Sequence, residues 1–368
     1  MSQATPPASL GPVLVIGTGL IGTSTALALV RAGVDVYLRD EDAAQLATAV
    51  EMAAGIAHAD QAPAIVVVAV PPRSAPFVMA NASKEFTNAT ITDVTSVKSG
   101  ILRQAVYSGA DSSRLVGGHP MAGREVSGAA AARADLFDDR LWILTPTLET
   151  ETEHVRRAQL LVTTCGALPV EMAASEHDVA VALVSHAPQV VSSALAAQLL
   201  PAKELHISVA GQGLRDMTRI ASSDSDLWLD ILSENAGPVS EVLSGVVFEL
   251  QEVLHALQEL AAGDRDHQEA IDATLRAGAL GRMRIPGKHG NPDSPFREVA
   301  VMVADEPGEL ARLFIAAGEA GINLEDVRIE HVLGRPSGRV ELAVKPDAAE
   351  PLVQALHERG FDVRGVDG

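Results

Sequence analysis

A chain of 368 residues is too long for one ordinary domain and predicts two or three. Its apolar fraction of 47% supports sizeable cores, while an aromatic fraction of only 3% means that Ala, Val, Leu and Ile must fill them. The formal net charge of -20 argues against nucleic acid or an anionic membrane as partner, and it leaves any anionic ligand to local devices such as a helix N-terminus or a single arginine.

Residues 1–10 lack the basic and apolar regions of a signal peptide, and no apolar run reads as approaching the roughly 20 residues of a membrane span. The single cysteine, Cys165, permits no intrachain disulfide and disfavours a thiolate metal site. A cytoplasmic protein without a metal is therefore expected. Residues 13–16 form a short apolar run that stops at Gly17-Thr18-Gly19-Leu20-Ile21-Gly22, after which 25–32 reads as a helix ending at Gly33. Such a G-x-G-x-x-G turn between strand and helix lets the backbone approach a pyrophosphate that faces the helix N-terminus. Residues 34–38 supply a second strand, and Asp40 arrives 18 residues after Gly22, about where a carboxylate grips an adenosine ribose. Asp40 favours NAD, because it accepts hydrogen bonds from ribose hydroxyls and repels a 2′-phosphate. Arg39 beside it keeps NADP as the alternative.

Residues 64–70 are continuously apolar, as in a parallel strand buried on both faces, and end at Pro71-Pro72, placing Val70 and Pro71 at the ligand-binding rim. Strand 90–94 leads to Thr95-Ser96-Val97-Lys98, and strand 115–117 delivers His119 to the same rim. His119 stands between Gly117-Gly118 and Pro120, which predicts a tight loop. A neutral imidazole there is a candidate general base. Segments 141–144 and 168–172 complete the sheet of an α/β Rossmann-type domain over residues 11–175.

Beyond Glu176 the pattern turns helical, predicting an all-α second domain over 176–281. One apolar helix is expected at 178–200, kinked by the proline in Ser185-His186-Ala187-Pro188-Gln189. Val239, Val242, Leu243, Val246, Leu250, Leu254 and Leu257 make an apolar stripe suited to a subunit interface. Residues 278–295 read as a linker containing Arg282, Arg284 and Lys288. The remainder, 296–368, reads β-α-β-β-α-β: strands at 297–303, 323–333, 339–344 and 361–366, a helix opened by 305–310 and another at 348–359. That is a ferredoxin-like α+β module.

Together, Asp93-Val94-Thr95-Ser96-Val97-Lys98, Gly118-His119-Pro120-Met121-Ala122-Gly123, Arg215-Asp216-Met217-Thr218-Arg219-Ile220-Ala221, Trp228 and Glu234-Asn235 resemble the bacterial prephenate/arogenate dehydrogenases of tyrosine biosynthesis. Asp305-Glu306-Pro307-Gly308-Glu309-Leu310 and Gly321-Ile322-Asn323 similarly resemble an ACT regulatory domain. The resemblance implies hydride transfer from C4 of a cyclohexadienyl ring to nicotinamide, proton removal from the C4 hydroxyl, and decarboxylation to an aromatic ring. It implies His119 as base, Ser96 orienting that base or the hydroxyl, and Arg219 on a substrate carboxylate, with Glu125, Ser127, His186 and Gln189 lining the pocket. Many members read Ser-His-Leu-Pro-His where this chain has Gln189, so a pocket imidazole becomes an amide that cannot titrate. This leaves both prephenate and arogenate as substrates. A homodimer, with tyrosine as effector of the ACT-like module, completes the expectation.

Overall fold

The computed structural model describes residues 10–57, 61–123, 128–285, 296–331 and 337–367. Glu125 and Ser127 lie outside the described residues, as does most of the expected linker. Contacts divide the chain into two compact units, 1–246 and 247–368.

The first unit is built on a seven-stranded sheet in the order β2-β1-β3-β4-β5-β6-β7. Its strands are β1 (Val13–Ile16), β2 (Val36–Arg39), β3 (Ile65–Val68), β4 (Thr90–Asp93), β5 (Leu115–Pro120), β6 (Leu141–Pro146) and β7 (Leu168–Glu171). All neighbours run parallel except β5 and β6. Helices α1 (Leu20–Arg31), α2 (Ala43–Glu51), α3 (Ala75–Glu85), α4 (Ser99–Tyr107) and α5 (Thr152–Thr164) connect them. Every residue of β1 and β3 is buried, as strands of Val, Leu and Ile covered on both faces should be. The parallel register aligns Arg39, Ile16, Val68 and Asp93, so that four strands end at one level. The segments after them therefore share one rim, as expected.

Several local expectations shift. The first helix begins at Leu20 rather than at residue 25, because the backbone enters the helix directly from Gly19. His119 is not in a loop; it is the fifth residue of β5, opposite Ile143 of β6. The glycines before it serve close approach rather than a turn. A Cβ on Gly118 would lie 2.5 Å from the Asp93 carbonyl oxygen and 3.0 Å from Trp142 Nε1.

Lys98 is fully buried, paired with Asp93 and donating to Thr95 Oγ1 at 3.0 Å and to the Gly118 carbonyl at 2.7 Å. Burial lowers its pKa, opposed by the Asp93 charge. Asp93 in turn accepts from the Gly118 amide at 3.1 Å and from the Thr95 amide at 3.0 Å. This pair ties the end of β4 to the strand that carries His119.

The helical part of the first unit opens with α6 (Ala174–Val181), a π-helical turn (Ala182–His186) and α7 (Ala187–Ala197). The kink expected from Pro188 thus appears as a π-turn just before it, where a proline withholds one backbone donor from the preceding turn. The run 174–197 is long and apolar enough by length and composition to cross a membrane, contrary to the sequence reading that no such run exists. Its buried His177, Asp178, His186 and Gln189 give it polar partners inside the protein instead. Then follow α8 (Glu204–Ile207), α9 (Gln212–Thr218), α10 (Ser225–Glu234) and α11 (Ala236–Ala261).

In the second unit, α12 (Gln268–Arg282) extends four residues past Gly278, where the linker was expected to begin. Strands β8 (Arg297–Ala304), β9 (Asp326–His331), β10 (Ser337–Val344) and β11 (Asp362–Asp367) form an antiparallel sheet ordered β11-β8-β10-β9. Helices α13 (Glu309–Glu319) and α14 (Ala349–Glu358) cover one face, where Val299, Val301, Val303, Val340, Leu342 and Val344 meet Leu313, Leu352 and Leu356. The β-α-β-β-α-β order is the expected one.

Replacing Lys98 with Met should destabilise the first unit by about 3–5 kcal/mol, because it strands the Asp93 carboxylate in the core. Denaturant unfolding checks this, and a loss below about 1 kcal/mol would mean that Asp93 finds water or a proton without structural cost.

Candidate active site

The site is assembled from the ends of β4 and β5 and from the start of the helical part. Gly17 has φ of +99°, and a Cβ there would lie 2.3 Å from the Ala69 carbonyl oxygen. At Gly22 a Cβ would lie 1.9 Å from the Gly17 carbonyl oxygen. Above Gly19, by contrast, nothing lies within 4 Å. The first and third glycines are demanded by packing, and the middle one leaves backbone bare at the N-terminus of α1. Thr18 is buried, Leu20 and Ile21 are half-buried, and Val70 packs against Gly17 while Pro71 is exposed beyond β3.

Asp40 closes this loop. Its Oδ2 accepts from the Thr18 amide at 2.5 Å and the Thr18 hydroxyl at 2.8 Å, and its Oδ1 accepts from the Asp42 amide at 2.8 Å. Oδ1, with one donor against two on Oδ2, keeps further acceptor capacity. Arg39 forks onto Glu85 at 2.8 and 2.9 Å, with its guanidinium 5.7 Å from the centre of the Phe86 ring. That pairing engages the guanidinium beside Asp40 at the end of β2.

His119 Nδ1 lies 2.8 Å from His177 Nε2, and His177 Nδ1 lies 2.9 Å from Asp178 Oδ1. The Asp178 carboxylate also accepts from the amides of Lys98 and Ser99, both at 2.8 Å, at the start of α4. These partners dictate proton positions. A carboxylate can only accept, so His177 Nδ1 carries the hydrogen; neutral His177 then accepts at Nε2 from His119 Nδ1–H, which leaves His119 Nε2 with its lone pair uncommitted. Burial, with the Lys98 charge adding to it, holds the His119 pKa well below the ordinary range, so the ring is neutral at pH 7. Burial raises the Asp178 pKa, but the hydrogen bonds from His177 and Ser99 outweigh it and bring the carboxyl to about 2.

Ser96 is half-buried, but the partner on His119 Nδ1 is His177, which the sequence did not single out. His177 falls one residue before the helix expected at 178–200, and an isolated His-Asp pair at a helix start carries no spacing signal. Asn235 extends the network: its Nδ2 donates to the Asp178 carbonyl at 2.8 Å and to His186 Nδ1 at 3.0 Å. The carbonyl fixes the amide's orientation, so His186 Nδ1 must be an acceptor and its ring neutral. Burial brings the His186 pKa down to about 4, in agreement. The indole of Trp228 meets the His186 ring edge-on at 5.9 Å.

One turn beyond His186, Gln189 is buried and donates from Nε2 to the Ile220 carbonyl at 2.9 Å. It thereby holds the short 3-10 turn Arg219–Ser222, on which Arg219 is exposed. His119, His186 and Gln189 are thus linked through one polar network and one helix, and Arg219 is anchored to that helix through its neighbour's backbone.

Known proteins resemble this chain over most of its length. Residues 25–171 match the family described as "Prephenate dehydrogenase, nucleotide-binding domain", and 173–273 match "Prephenate dehydrogenase, dimerization domain". A probable prephenate dehydrogenase of Streptomyces niveus is 36% identical over 352 residues, which span 94% of this chain and 97% of that protein. Among solved structures, the prephenate dehydrogenase of A. aeolicus in complex with hydroxyphenyl propionate and NAD+ is 29% identical, covers 76% of this chain and 99% of its own, and superposes with a TM-score of 0.65. The arogenate dehydrogenase of Synechocystis is 25% identical, covers 74% and 99%, and gives a TM-score of 0.62.

The neutral His186 has a consequence for stability. Its folded pKa of about 4 lies below the ordinary 6.5, so its contribution is present above pH 6.5 and is lost as pH falls through 4. The magnitude is on the order of 3 kcal/mol. His186→Gln, which offers Asn235 a non-titrating acceptor, should flatten the unfolding free energy between those pH values. Equal slopes for variant and parent would show that His186 is not buried as a neutral base.

Proposed function

The chain belongs to the prephenate dehydrogenase family, and on that footing we propose that it oxidises prephenate to 4-hydroxyphenylpyruvate with loss of carbon dioxide, using NAD, in the cytoplasm. The observation that carries this is the bare Nε2 of His119, held at the same sheet rim as the glycine loop. A binding protein without turnover has no use for an imidazole whose tautomer is fixed by two buried partners.

The residues present fit a dinucleotide. The open backbone at Gly19 and the start of α1 would hold its pyrophosphate, between Thr18, Leu20 and Ile21, while Asp40 would hold its ribose and Val70 and Pro71 would flank it. When bound, NAD supplies the acceptor for the hydride that leaves the substrate ring. The paired Arg39 and the Asp40 charge favour NAD over NADP.

His119 Nε2 takes the proton of the ring hydroxyl. A weakly basic imidazole suffices, because that proton becomes strongly acidic as the hydride leaves. His177, backed by Asp178, stabilises the imidazolium through Nδ1–H and acts as a positioning residue. Ser96 orients the hydroxyl, and Arg219 pairs with a substrate carboxylate.

A second reading, arogenate as substrate, has an observation in its favour. The Gln189 amide spends its nitrogen on the Ile220 carbonyl at 2.9 Å and the Ser193 hydroxyl at 3.5 Å, so what remains is an acceptor oxygen, which suits an ammonium group better than a keto group. Steady-state assays with prephenate and arogenate, each with NAD and NADP, separate the readings. Absence of turnover in all four would overturn both.

His119→Asn should lower kcat by about 100-fold or more with little change in NAD affinity. His177→Gln should lower kcat less and move the acidic limb of kcat/KM, because the variant can still donate to or accept from His119 but cannot share its charge. Parent activity should fall only below pH 6.5, since burial lowers the His119 pKa and the base works unprotonated. An acidic limb unmoved by His177→Gln would remove His177 from any part in proton transfer.

The same proposal covers assembly and control. Val247, Phe248, Leu250 and Leu254 along α11 are 48%, 60%, 60% and 56% exposed, a stripe fitted to a second copy of the chain in a homodimer. The C-terminal module is an ACT domain that binds tyrosine near Gly321-Ile322-Asn323 and the start of α13, and thereby inhibits. Removing residues 297–368 should leave an active enzyme on which tyrosine retains only its competition with substrate. Identical inhibition patterns for full-length and shortened chains would exclude a regulatory site in the module.

A further inference from the structure

Away from the active site, four potential ligands meet where α11 turns into α12. Gly263, at φ of +99°, ends α11 in a left-handed cap, and the Asp264 amide donates back to the Glu259 carbonyl at 3.1 Å. This closure folds Asp264 under the last turn of α11, and His267, the N-cap of α12, follows on the same side. As a result one ligand atom each from Glu259, Asp264 and His267 falls within 4.8 Å of the others. His255 stands one helical turn before Glu259, with its Nδ1 at 4.0 Å from Glu259 Oε1 and its ring 5.9 Å from that of His267.

We propose that His255, Glu259, Asp264 and His267 form a zinc site that clips the α11–α12 hairpin. Two imidazoles and two carboxylates are a donor set that zinc accepts in tetrahedral form. The spacing agrees. His267 Nε2 lies 3.4 Å from Asp264 Oδ2, without a hydrogen bond between them, and bonds of about 2.0–2.1 Å to a tetrahedral ion place neighbouring ligand atoms about 3.3 Å apart. The other carboxylate oxygen of Asp264 is already oriented by the Asp266 amide at 3.0 Å, which leaves Oδ2 turned to the cluster. His255 is 65% exposed and turns inward without unpacking anything. Two carboxylates and two neutral imidazoles carry two negative charges, which one divalent ion cancels in a strongly acidic chain. The lone cysteine argues against a thiolate site only, whereas the sequence carries a His-x3-Glu-x4-Asp-x2-His pattern across this helix turn.

The test is calorimetric titration of Zn2+ into the chelator-stripped full-length enzyme, beside an Asp264→Asn, His267→Gln double variant. The expected result is one zinc per chain in the parent, at least about 10-fold weaker binding in the variant, and a rise in Tm with zinc that only the parent shows. Basal activity should be equal in the two proteins. His119, His177 and His186 remain in the variant, so zinc taken up by the active site survives the substitution. Equal zinc affinity in the two proteins, or none in the parent, overturns the proposal. If the variant does not fold, the parent loaded with Co2+ decides: the intense visible band of tetrahedral coordination supports the site, and a weak octahedral spectrum overturns it.

Discussion

The carboxylate of Asp178 is the contact on which the rest of the first unit depends. It sits on α6, yet it accepts the first two amides of α4 from the sheet domain, fixes the proton on His177, and its own carbonyl receives Asn235 from the junction of α10 and α11. Three segments distant in sequence therefore meet at one residue. A carboxyl buried this deeply would ordinarily hold its proton; three hydrogen bonds, from His177 and from the amides of Lys98 and Ser99, reverse that, and the ionised form is retained down to about pH 2. Without the charge, His177 would lose the reason for its tautomer, and His119 would lose the certainty of which nitrogen is bare.

A second constraint acts from the sheet side. Parallel register brings four strand ends to one level, but register alone does not fix a side chain. Asp93 and Lys98 do that for β5, one through the Gly118 amide and the other through the Gly118 carbonyl. The residue before His119 is thus held by both of its backbone groups. Buried pairs of this kind add little net stability over apolar substitutes, and their value lies in admitting only one geometry.

Much of this was legible in the sequence, for identifiable reasons. The apolar run at β3 and the glycine loop after β1 declare themselves because packing on both faces and close backbone approach each permit few residue types. The alternation of Val in β8 and β10 marks a sheet covered on one face, so the C-terminal module could be read strand by strand. The readings that failed concern residues whose role comes from partners far along the chain. His119 looked like a loop residue because Gly-Gly and Pro usually break strands, whereas here Trp142 and Asp93 press so close that only glycine fits. His177 gave no signal because a relay of two imidazoles has no fixed spacing in sequence, 58 residues separating its members here.

The buried charges also bear on why this arrangement suits proton removal. Around His119 the network contains one cation, Lys98, and two carboxylates, Asp93 and Asp178, so with neutral histidines it carries one net negative charge. Desolvation opposes a cationic His119 in the resting site, and Lys98 adds to that opposition. The ring is therefore kept neutral and ready to accept. Once a proton arrives at Nε2, the network as a whole becomes neutral, and the charge on His119 faces Asp178 across a single intervening imidazole. A fixed carboxylate of this sort needs no reorganisation during the step, and in a site poor in water its attraction for the new charge is weakly screened. The surface charge of the chain acts differently. It is screened beyond about 8–10 Å at physiological salt, so it influences how an anion approaches rather than how it is held. The acidity of the whole molecule and the near-balance of its interior are thus separate features, and the chemistry depends on the second.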